Sequence, residues 1–280
     1  MLSDDSFLQT VFAHPDDDGP RLVYADWLEE RGECARAELI RLQCLGGGER
    51  RACELIDRCA TLWAGPAARH AYSYAFRRGF VEEVTVEAGI FIRHAEEIFA
   101  ASPIQLLRII GARGTMDRLF DMPLLTRVRA LHLTDCHLGN EGAVVISNCP
   151  YLDELRTLRL GCNSIQDRGV EYLADSPYLN KLNTLVLRGN LIGDAGAQVL
   201  ALADGLSSLC RLDLSDNQIG DAGAEAIANS SHFPSLTCLD LSSQFKGWSA
   251  GHSSRGRPYP IQPKQQKALK ARFGPQACTF

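Results

Sequence analysis

Residues 155–165 read LRTLRLGCNSI, and their pattern, L-x-x-L-x-L-x-x-N-x-I, returns at residues 182–192 and 209–219. The asparagine at position 9 of this pattern recurs every 27 residues. Degenerate copies stand one period earlier, at residues 128–138, and one period later, at residues 236–244. Self-similarity with a fixed period of this length is typical of a solenoid, in which each copy folds as one coil and neighbouring coils stack.

The pattern predicts a short strand followed by a turn. Leucines at positions 4 and 6 alternate with other residues, so they point to one face of the strand. An asparagine at position 9 can both donate and accept hydrogen bonds, and we expect it to satisfy backbone groups where the chain turns inside the core. Cys136 fits position 9 of the earlier copy, whereas Gln244 departs from the pattern in the later one, as expected of a terminal coil.

A helix is predicted after each turn. Asp167, Asp194 and Asp221 stand where the helical half of a coil begins, and we expect each aspartate to cap the helix that follows it. Each coil is therefore a strand, a turn and a helix. One such coil cannot bury its apolar side alone, so neighbouring coils must stack.

This pattern resembles the leucine-rich repeat, and its helical half resembles the ribonuclease-inhibitor-like subclass. The resemblance implies an α/β leucine-rich-repeat solenoid, with parallel strands on the concave side and helices on the convex side. It also implies, by analogy of fold, a non-enzymatic protein that binds a protein partner on the concave face.

The first 46 residues predict a small all-α domain. Residues 16–32, DDDGPRLVYADWLEERG, and residues 36–43, RAELIRLQ, closely resemble the bacterial repeat-companion domain, which precedes repeats in other proteins. The resemblance implies no reaction. For Tyr24, Asp26 and Trp27 the expectation is helix packing and an exposed acid.

The glycine run at residues 46–48 is the clearest linker in the chain. We predict a helical domain over residues 1–46, a helical linker and N-terminal cap over 47–79, leucine-rich repeats over 80–243, and a C-terminal loop, helix and capping strand over 244–280.

Both ends of the solenoid need a cover, because an end coil otherwise exposes core and strand edge. Degenerate strands are predicted over residues 81–86 and 104–109, with a helix over 49–69 that could cover the first of them. At the other end we predict a helix over 264–273 and a last strand over 276–280 that pairs with the open edge.

Composition is that of an ordinary globular chain, with 45% apolar and 22% charged residues. No apolar run is long enough to span a membrane, and the acidic start does not resemble a signal peptide. The ten cysteines include no C-x-x-C pair, which favours reduced thiols and a cytoplasmic location.

The sequence gives little support to catalysis or metal binding. Residues 247–251, GWSAG, match G-x-S-x-G, but the HSSRGRP that follows does not begin a helix, as a nucleophile elbow requires. Four residues of metal-binding type lie close together: His132, Asp135, Cys136 and His137. Position 5 of the strand faces outward whereas position 9 points into the turn, so we expect His132 and Cys136 to diverge. His94 has no partner in the sequence. Phosphate-binding glycine motifs are absent. We predict no enzyme activity, no metal and no cofactor.

Positions 3, 5, 7 and 8 of each coil are predicted to line the concave face, since positions 4 and 6 face the core. Charge on these positions changes from basic in early coils to acidic in later ones, which is typical either of a solvated surface or of a surface for a partner of complementary charge. The residues predicted to contact a protein partner are Arg108, His132, Arg159, Arg188, Arg211, Asp213 and Asp240.

Two alternatives remain open. The C-terminal segment holds seven bases and no acid and could bind nucleic acid or another anionic surface through Lys246, Arg255, Arg257, Lys264, Lys267, Lys270 and Arg272. The net charge of −5 argues against nucleic acid. The chain could instead regulate a partner enzyme, with an arginine such as Arg159 acting in trans on a phosphoryl-transfer transition state.

Overall fold

The computed structural model describes residues 4–246 and 257–280. The chain divides into two compact units, Met1–Arg108 and Ile109–Phe280. The sequence motif that predicts a helical domain lies in the first unit, and the regular repeats lie in the second.

Among the described residues, five helices precede the first strand of the first unit. Its described elements are α1 (Asp4–Ala13), α2 (Gly19–Glu30), α3 (Cys34–Leu45), α4 (Glu49–Ala64), α5 (Pro66–His70), β1 (Ser73–Arg77), β2 (Phe80–Glu87), α6 (Ala88–Ala101) and β3 (Leu106–Ile110), whose last two residues belong to the second unit.

Helices α1, α2 and α3 share one core with strand β2. Its buried members are Val11, Tyr24, Ala25, Leu28, Ala37, Ile40 and Phe80. The ring of Tyr24 lies 5.7 Å from that of Trp27 and 5.8 Å from that of Phe80, while Asp26 is exposed and pairs with Arg41. Because Phe80 completes this core, the predicted boundary at residue 46 lies inside the first unit.

Two buried arginines also connect α2 and α3 to the strands. Arg21 is 0% exposed, and its Nη2 donates to Glu82 Oε1 at 2.7 Å. The guanidinium of Arg36 lies 5.2 Å from the ring centroid of Phe80 and 5.0 Å from that of Trp63. Burial lowers the pKa of Arg36 to about 10, and the aromatic faces offer the cation partial compensation.

The helix predicted over residues 49–69 is broken. Gly65 has φ 51° and ψ −120°, a conformation that glycine adopts readily but that is not helical. Pro66 then begins α5. Strand β1 was not predicted. It pairs antiparallel with β2 through a turn at Arg78 and Gly79, both with positive φ, and it occupies the edge beside β2. The predicted strand over 81–86 lies within β2, and that over 104–109 largely coincides with β3.

The second unit repeats a strand and a helix. Its described elements are α7 (Met116–Phe120), β4 (Ala130–His132), α8 (Gly139–Ser147), β5 (Thr157–Arg159), α9 (Asp167–Ala174), β6 (Thr184–Val186), α10 (Asp194–Ala201), β7 (Arg211–Asp213), α11 (Asp221–Asn229), β8 (Cys238–Asp240), β9 (Phe245–Lys246), β10 (Arg257–Pro258), α12 (Pro263–Phe273) and β11 (Cys278–Thr279). Short 3₁₀ turns at Pro123–Arg127, Pro150–Leu152 and Asp204–Leu206 precede β4, β5 and β7.

Strands β4 to β8 form consecutive parallel pairs in the predicted register. Position 4 is leucine throughout, and Leu131, Leu158, Leu185, Leu212 and Leu239 align as neighbours across the sheet. All five are at most 1% exposed. A fully buried leucine contributes about 1.5–3 kcal/mol relative to an exposed one, so this row is a main source of the unit's stability.

The position-9 side chains form a buried network. Asn190 Oδ1 accepts from the backbone N–H groups of Asn163 and Ile165, both at 3.0 Å, and its Nδ2 donates to the carbonyls of Leu160 and Leu187. Each asparagine thus connects its own coil to the preceding one, as predicted for a side chain that both donates and accepts.

The terminal Gln244 belongs to the same network. Its Oε1 accepts from Ile219 N at 3.0 Å, and its Nε2 donates to the carbonyls of Leu214 and Leu241. The glutamine that departs from the pattern in sequence therefore makes the contacts of an asparagine in structure.

The aspartates at the helix starts act on the neighbouring coil. Asp194 is the first residue of α10, yet its Oδ1 accepts from Gly220 N at 2.7 Å and Gly223 N at 2.8 Å, at the start of α11. Asp167 accepts from Gly193 N in the same way. The prediction that each aspartate caps its own helix is wrong. The N-cap residue of α10 is Gly193, which makes no side-chain cap, and the Asp194 carboxylate instead satisfies donors one coil later.

A helix and a short strand end the second unit. Helix α12 spans Pro263–Phe273, and β11 adds to β8 in parallel. Asp221 Oδ1 accepts from Gln262 N at 2.8 Å, which extends the aspartate series to α12. Among the described helices, none is long and apolar enough to cross a membrane.

Candidate interaction surface

The side of the sheet that bears positions 3, 5, 7 and 8 of the coils is called the strand face here. Register places position 5 in one row, formed by His132, Arg159, Val186, Asp213 and Asp240. Because side chains alternate along a strand, this row and the buried leucine rows lie on opposite sides of the sheet.

Two cations on the strand face have no side-chain partner within residues 4–246 and 257–280. They are Arg159 at position 5 of β5 and Arg211 at position 3 of β7, and both are exposed. An exposed guanidinium without an ion pair keeps five donors for a ligand from outside. These two residues are the strongest part of the predicted surface.

Arg188 is exposed as predicted but already paired. Its Nε donates to Asp216 Oδ2 at 2.8 Å, and this hydrogen bond raises the pKa of Arg188. The pair presents a nearly neutral group, so Arg188 adds less attraction for an anion than its sequence position indicates.

The two predicted acids also make local bonds. Asp213 Oδ1 accepts from the hydroxyl of Ser215 at 2.6 Å and from its backbone N–H, and Asp240 Oδ1 accepts from Ser242 N at 2.9 Å. Both carboxylates stay partly exposed. They fix the end of each strand and still leave acceptor capacity toward solvent.

His132 is the member of the prediction that the structure contradicts. It lies in the position-5 row but is only 7% exposed, so it offers almost no surface to a partner. Alternation predicts which face a side chain is on, but exposure also depends on the size of its neighbours. Arg108 is exposed and belongs to the first unit.

A hollow of about 450 Å³ lies in the strand face. Residues of the predicted surface contribute to its lining, which includes Arg159, Val186, Arg188, Asp213, Asp216 and Phe245. The hollow therefore combines an unpaired cation, an ion pair, a carboxylate and two apolar side chains, a composition suited to a mixed polar and apolar group of a partner.

The four residues of metal-binding type at 132–137 are not brought together in one site. Cys136 is buried, and its Sγ donates to Ile109 O, while His137 is exposed. Burial raises the pKa of the Cys136 thiol, which disfavours the thiolate that a metal requires. The GWSAG motif at residues 247–251 lies outside the described residues.

A different cluster was missed. His94 stacks on His70, with ring centroids 3.9 Å apart and planes 8° apart, and both imidazoles lie beside Glu97. The expectation that His94 has no partner is wrong. The three-residue spacing of His94 and Glu97 on α6 is a sequence signal for two of the three members of this cluster, but nothing local indicates His70.

The basic C-terminal segment is partly used within the chain. Arg272 donates to the carbonyl of Ser230, and Lys270 lies 5.4 Å from the ring of Phe280, whereas Lys264 and Lys267 are exposed on α12. Arg255 lies outside the described residues, and the side chains of Lys246 and Arg257 are not described. In the described part of this segment, Lys264 and Lys267 are therefore the cations without a contact of the kind made by Arg272 and Lys270.

The comparisons with known proteins agree with this architecture. Four segments match a family model described as leucine-rich repeat: residues 126–147, 155–174, 178–201 and 205–228. The chain therefore contains leucine-rich repeats and has the α/β leucine-rich-repeat solenoid fold, preceded by a small helical region. A search of curated proteins found no significant match.

Several solved structures resemble this chain at low identity. A crystal structure of a TLR13–ssRNA13 complex matches at 20% identity and TM-score 0.33, over 51% of this chain and 20% of that one. An internalin (inlF) from Listeria monocytogenes matches at 18% identity and TM-score 0.34, over 63% and 54%. The yeast Rad7 and Elc1 complex matches at 12% identity and TM-score 0.37, over 100% and 95%. This chain thus spans a fifth of the first and about half of the second.

Proposed function

We propose that this protein is a non-enzymatic interaction module that binds a protein partner on the strand face. Leucine-rich repeats are generally protein-interaction modules, and a stack of parallel strands provides an extended surface for this purpose. The observation that carries the proposal is the pair of exposed, unpaired cations, Arg159 and Arg211, on the same face as the 450 Å³ hollow.

The charges of this face indicate the chemistry of the partner. Arg159 and Arg211 favour carboxylates, which a guanidinium can bind with two parallel hydrogen bonds. Asp213 and Asp240 favour a cation beside them. A partner segment with acidic and basic side chains and an apolar group for the hollow fits this arrangement.

The sequence of the N-terminal helices indicates a second part of the proposal. Residues 16–32 and 36–43 resemble the bacterial repeat-companion domain, and we propose that the chain is of that kind and acts in the cytoplasm. Tyr24 and Arg36 of these segments pack on Phe80, which supports a structural role for the motif rather than a catalytic one.

Affinity capture with matched charge reversals tests the proposed site. The intact chain is immobilised beside the double variants Arg159→Glu/Arg211→Glu and Lys264→Glu/Lys267→Glu, which change the net charge equally. Partners captured by the parent chain are identified by mass spectrometry and measured again as purified proteins. We expect the strand-face variant to weaken binding at least tenfold and the α12 variant to leave it unchanged.

The same experiment separates the alternatives. Equal binding by the strand-face variant and the parent chain would contradict the proposed site. Binding lost only in the α12 variant, with a steep decrease as salt rises, would support nucleic-acid or anionic-surface binding instead. A partner whose catalytic rate changes on addition of the parent chain, but not of Arg159→Glu, would identify a regulator of an enzyme.

A further inference from the structure

Helices α5 and α6 of the first unit bring together three side chains of metal-binding type. His70 is the last residue of α5, and His94 and Glu97 lie one turn apart on α6. One ligand atom from each of the three lies within 4.8 Å of the other two. His70 and His94 are 24 residues apart in sequence, so the fold and not the local chain brings His70 into this cluster.

The distances are close to those of a metal centre. His70 Nε2 lies 3.5 Å from Glu97 Oε2, and His94 Nδ1 lies 3.4 Å from Glu97 Oε1. In tetrahedral zinc coordination, bonds of about 2.0–2.2 Å place neighbouring ligand atoms about 3.3–3.5 Å apart. The spacing of the donor atoms therefore leaves room for one ion among the three side chains.

The three side chains also offer suitable donor atoms for a cation. An imidazole binds a metal through a ring nitrogen whose lone pair lies in the plane of the ring. The two rings are stacked 3.9 Å apart and within 8° of parallel, so they must tilt relative to each other before both nitrogens can face one ion. Two imidazole nitrogens and one carboxylate are the donor set of a known class of zinc centre.

We propose that His70, His94 and Glu97 bind a divalent transition-metal ion of the zinc type. Two imidazoles among three donors favour zinc and its transition-metal neighbours over magnesium and calcium, which prefer oxygen. Three protein ligands leave at least one coordination position for water. Partial exposure of the side chains, 20% for His70 and 32% for His94, gives an ion access from solvent.

One neighbouring cation competes for the carboxylate. Arg69 Nη2 lies 3.8 Å from Glu97 Oε2, but the Arg69 side chain is 66% exposed and free to turn into solvent when an ion binds. A bound ion would join α5 to α6. Because it binds the folded chain in preference to the unfolded one, it would raise the thermal midpoint of unfolding.

Zinc titration of the intact chain tests the proposal. Isothermal titration calorimetry with zinc chloride under reducing conditions is compared for the parent chain, His94→Ala and Glu97→Gln. Matched controls are His14→Ala, which removes an exposed histidine elsewhere in the first unit, and Glu96→Gln, which removes the adjacent exposed carboxylate on α6. We expect one equivalent to bind to the parent chain and both controls, and its affinity to fall at least tenfold in His94→Ala and Glu97→Gln.

Cobalt(II) distinguishes this site from the ten cysteines. The equivalent lost in His94→Ala should show visible d–d absorption without a sulfur-to-cobalt charge-transfer band. Circular dichroism without metal establishes that the variants are folded. Binding unchanged in both site variants, thiolate bands from the first equivalent, or no binding by the parent chain would each overturn the proposal.

Discussion

At the scale of single residues, the amide at position 9 explains why the repeat requires asparagine. A buried turn leaves backbone donors of one coil and carbonyls of another without partners, and only a side chain with both functions satisfies them. Asn190 is 0% exposed and bonds both kinds of group. Gln244 makes the equivalent bonds in the last coil with a side chain that is one methylene longer.

Replacement of Asn190 by alanine should be strongly destabilising. The change removes the acceptor for Asn163 N and Ile165 N and the donor for two carbonyls, and buried donors without partners cost about 1–3 kcal/mol each. We expect the free energy of unfolding, measured by urea denaturation, to fall by about 2–5 kcal/mol.

The exposed Asn183 provides the control for that variant. It lies in the same coil, outside the network, so Asn183→Ala should change the free energy of unfolding by less than about 0.5 kcal/mol. Asn190→Asp should be nearly as harmful as the alanine variant, because a carboxylate accepts but does not donate. If the aspartate variant were as stable as the parent chain, the donor half of the network would be dispensable.

At the scale of secondary-structure elements, the aspartate series shows how one coil orders the next. An aspartate before a helical segment predicts a cap for that helix, and the sequence contains no sign that a different helix receives the bond. The repeat places each carboxylate beside the start of the following helix, so Asp167, Asp194 and Asp221 act 26 to 41 residues away. Caps between coils make neighbouring helices form together.

Asp194→Ala should therefore loosen α11 and not its own helix α10. Loss of a cap acceptor costs about 1–2 kcal/mol, and hydrogen exchange should quicken at the amides of Gly220 and Gly223, which bond to Asp194. The amide of Gly193, bonded to Asp167, should keep its protection.

Asp175→Ala is the matched control for the aspartate series. Asp175 is exposed and follows the end of α9, so its removal should leave exchange unchanged in both helices. Faster exchange in the first turn of α10 in Asp194→Ala, with α11 unaffected, would restore the simpler assignment of a cap to its own helix.

At the scale of the whole chain, the sequence predicts the contacts that recur in every coil and few of the contacts that occur only once. Periodicity is enough for the strands from Val128 onward, since the same bonds recur in every coil. The contact between Arg21 and Glu82, 61 residues apart, and the stack of His70 on His94 leave no pattern along the chain. For the strand face, the sequence indicates the correct side of the sheet, but the burial of His132 and the pairing of Arg188 depend on neighbours in space.

The same distinction applies to the ends of the array. Strand β1, with the sequence SYAFR and partial exposure, has too weak an alternation to be predicted as a strand. The C-terminal strand was predictable because the last coil leaves an open edge that must be covered. The need to cover the open edge of the last coil predicted β11, although its residue pattern is too short to predict a strand by itself.

Deletion of residues 276–280 tests that need directly. Strand β11 accepts hydrogen bonds from Leu239 N at Ala277 O, 2.7 Å, and from Leu241 N at Thr279 O, 2.9 Å, so its loss exposes the edge of β8. An uncovered edge strand pairs with other chains. We expect the shortened chain to have a lower thermal midpoint and to elute in larger species on gel filtration, increasingly so at higher concentration.

The double variant Gln276→Ala/Thr279→Ala separates backbone pairing from side-chain loss. Both side chains are exposed, and the backbone of β11 remains, so its midpoint and elution should match those of the parent chain. A shortened chain that kept the parent midpoint and elution would show that the edge of β8 needs no cover, and β11 would then be an addition to a solenoid that ends stably at its own last coil. If the shortened chain aggregates and the double variant does not, the five C-terminal residues complete the sheet through their backbone. A capping strand has this role in any array whose coils depend on their neighbours.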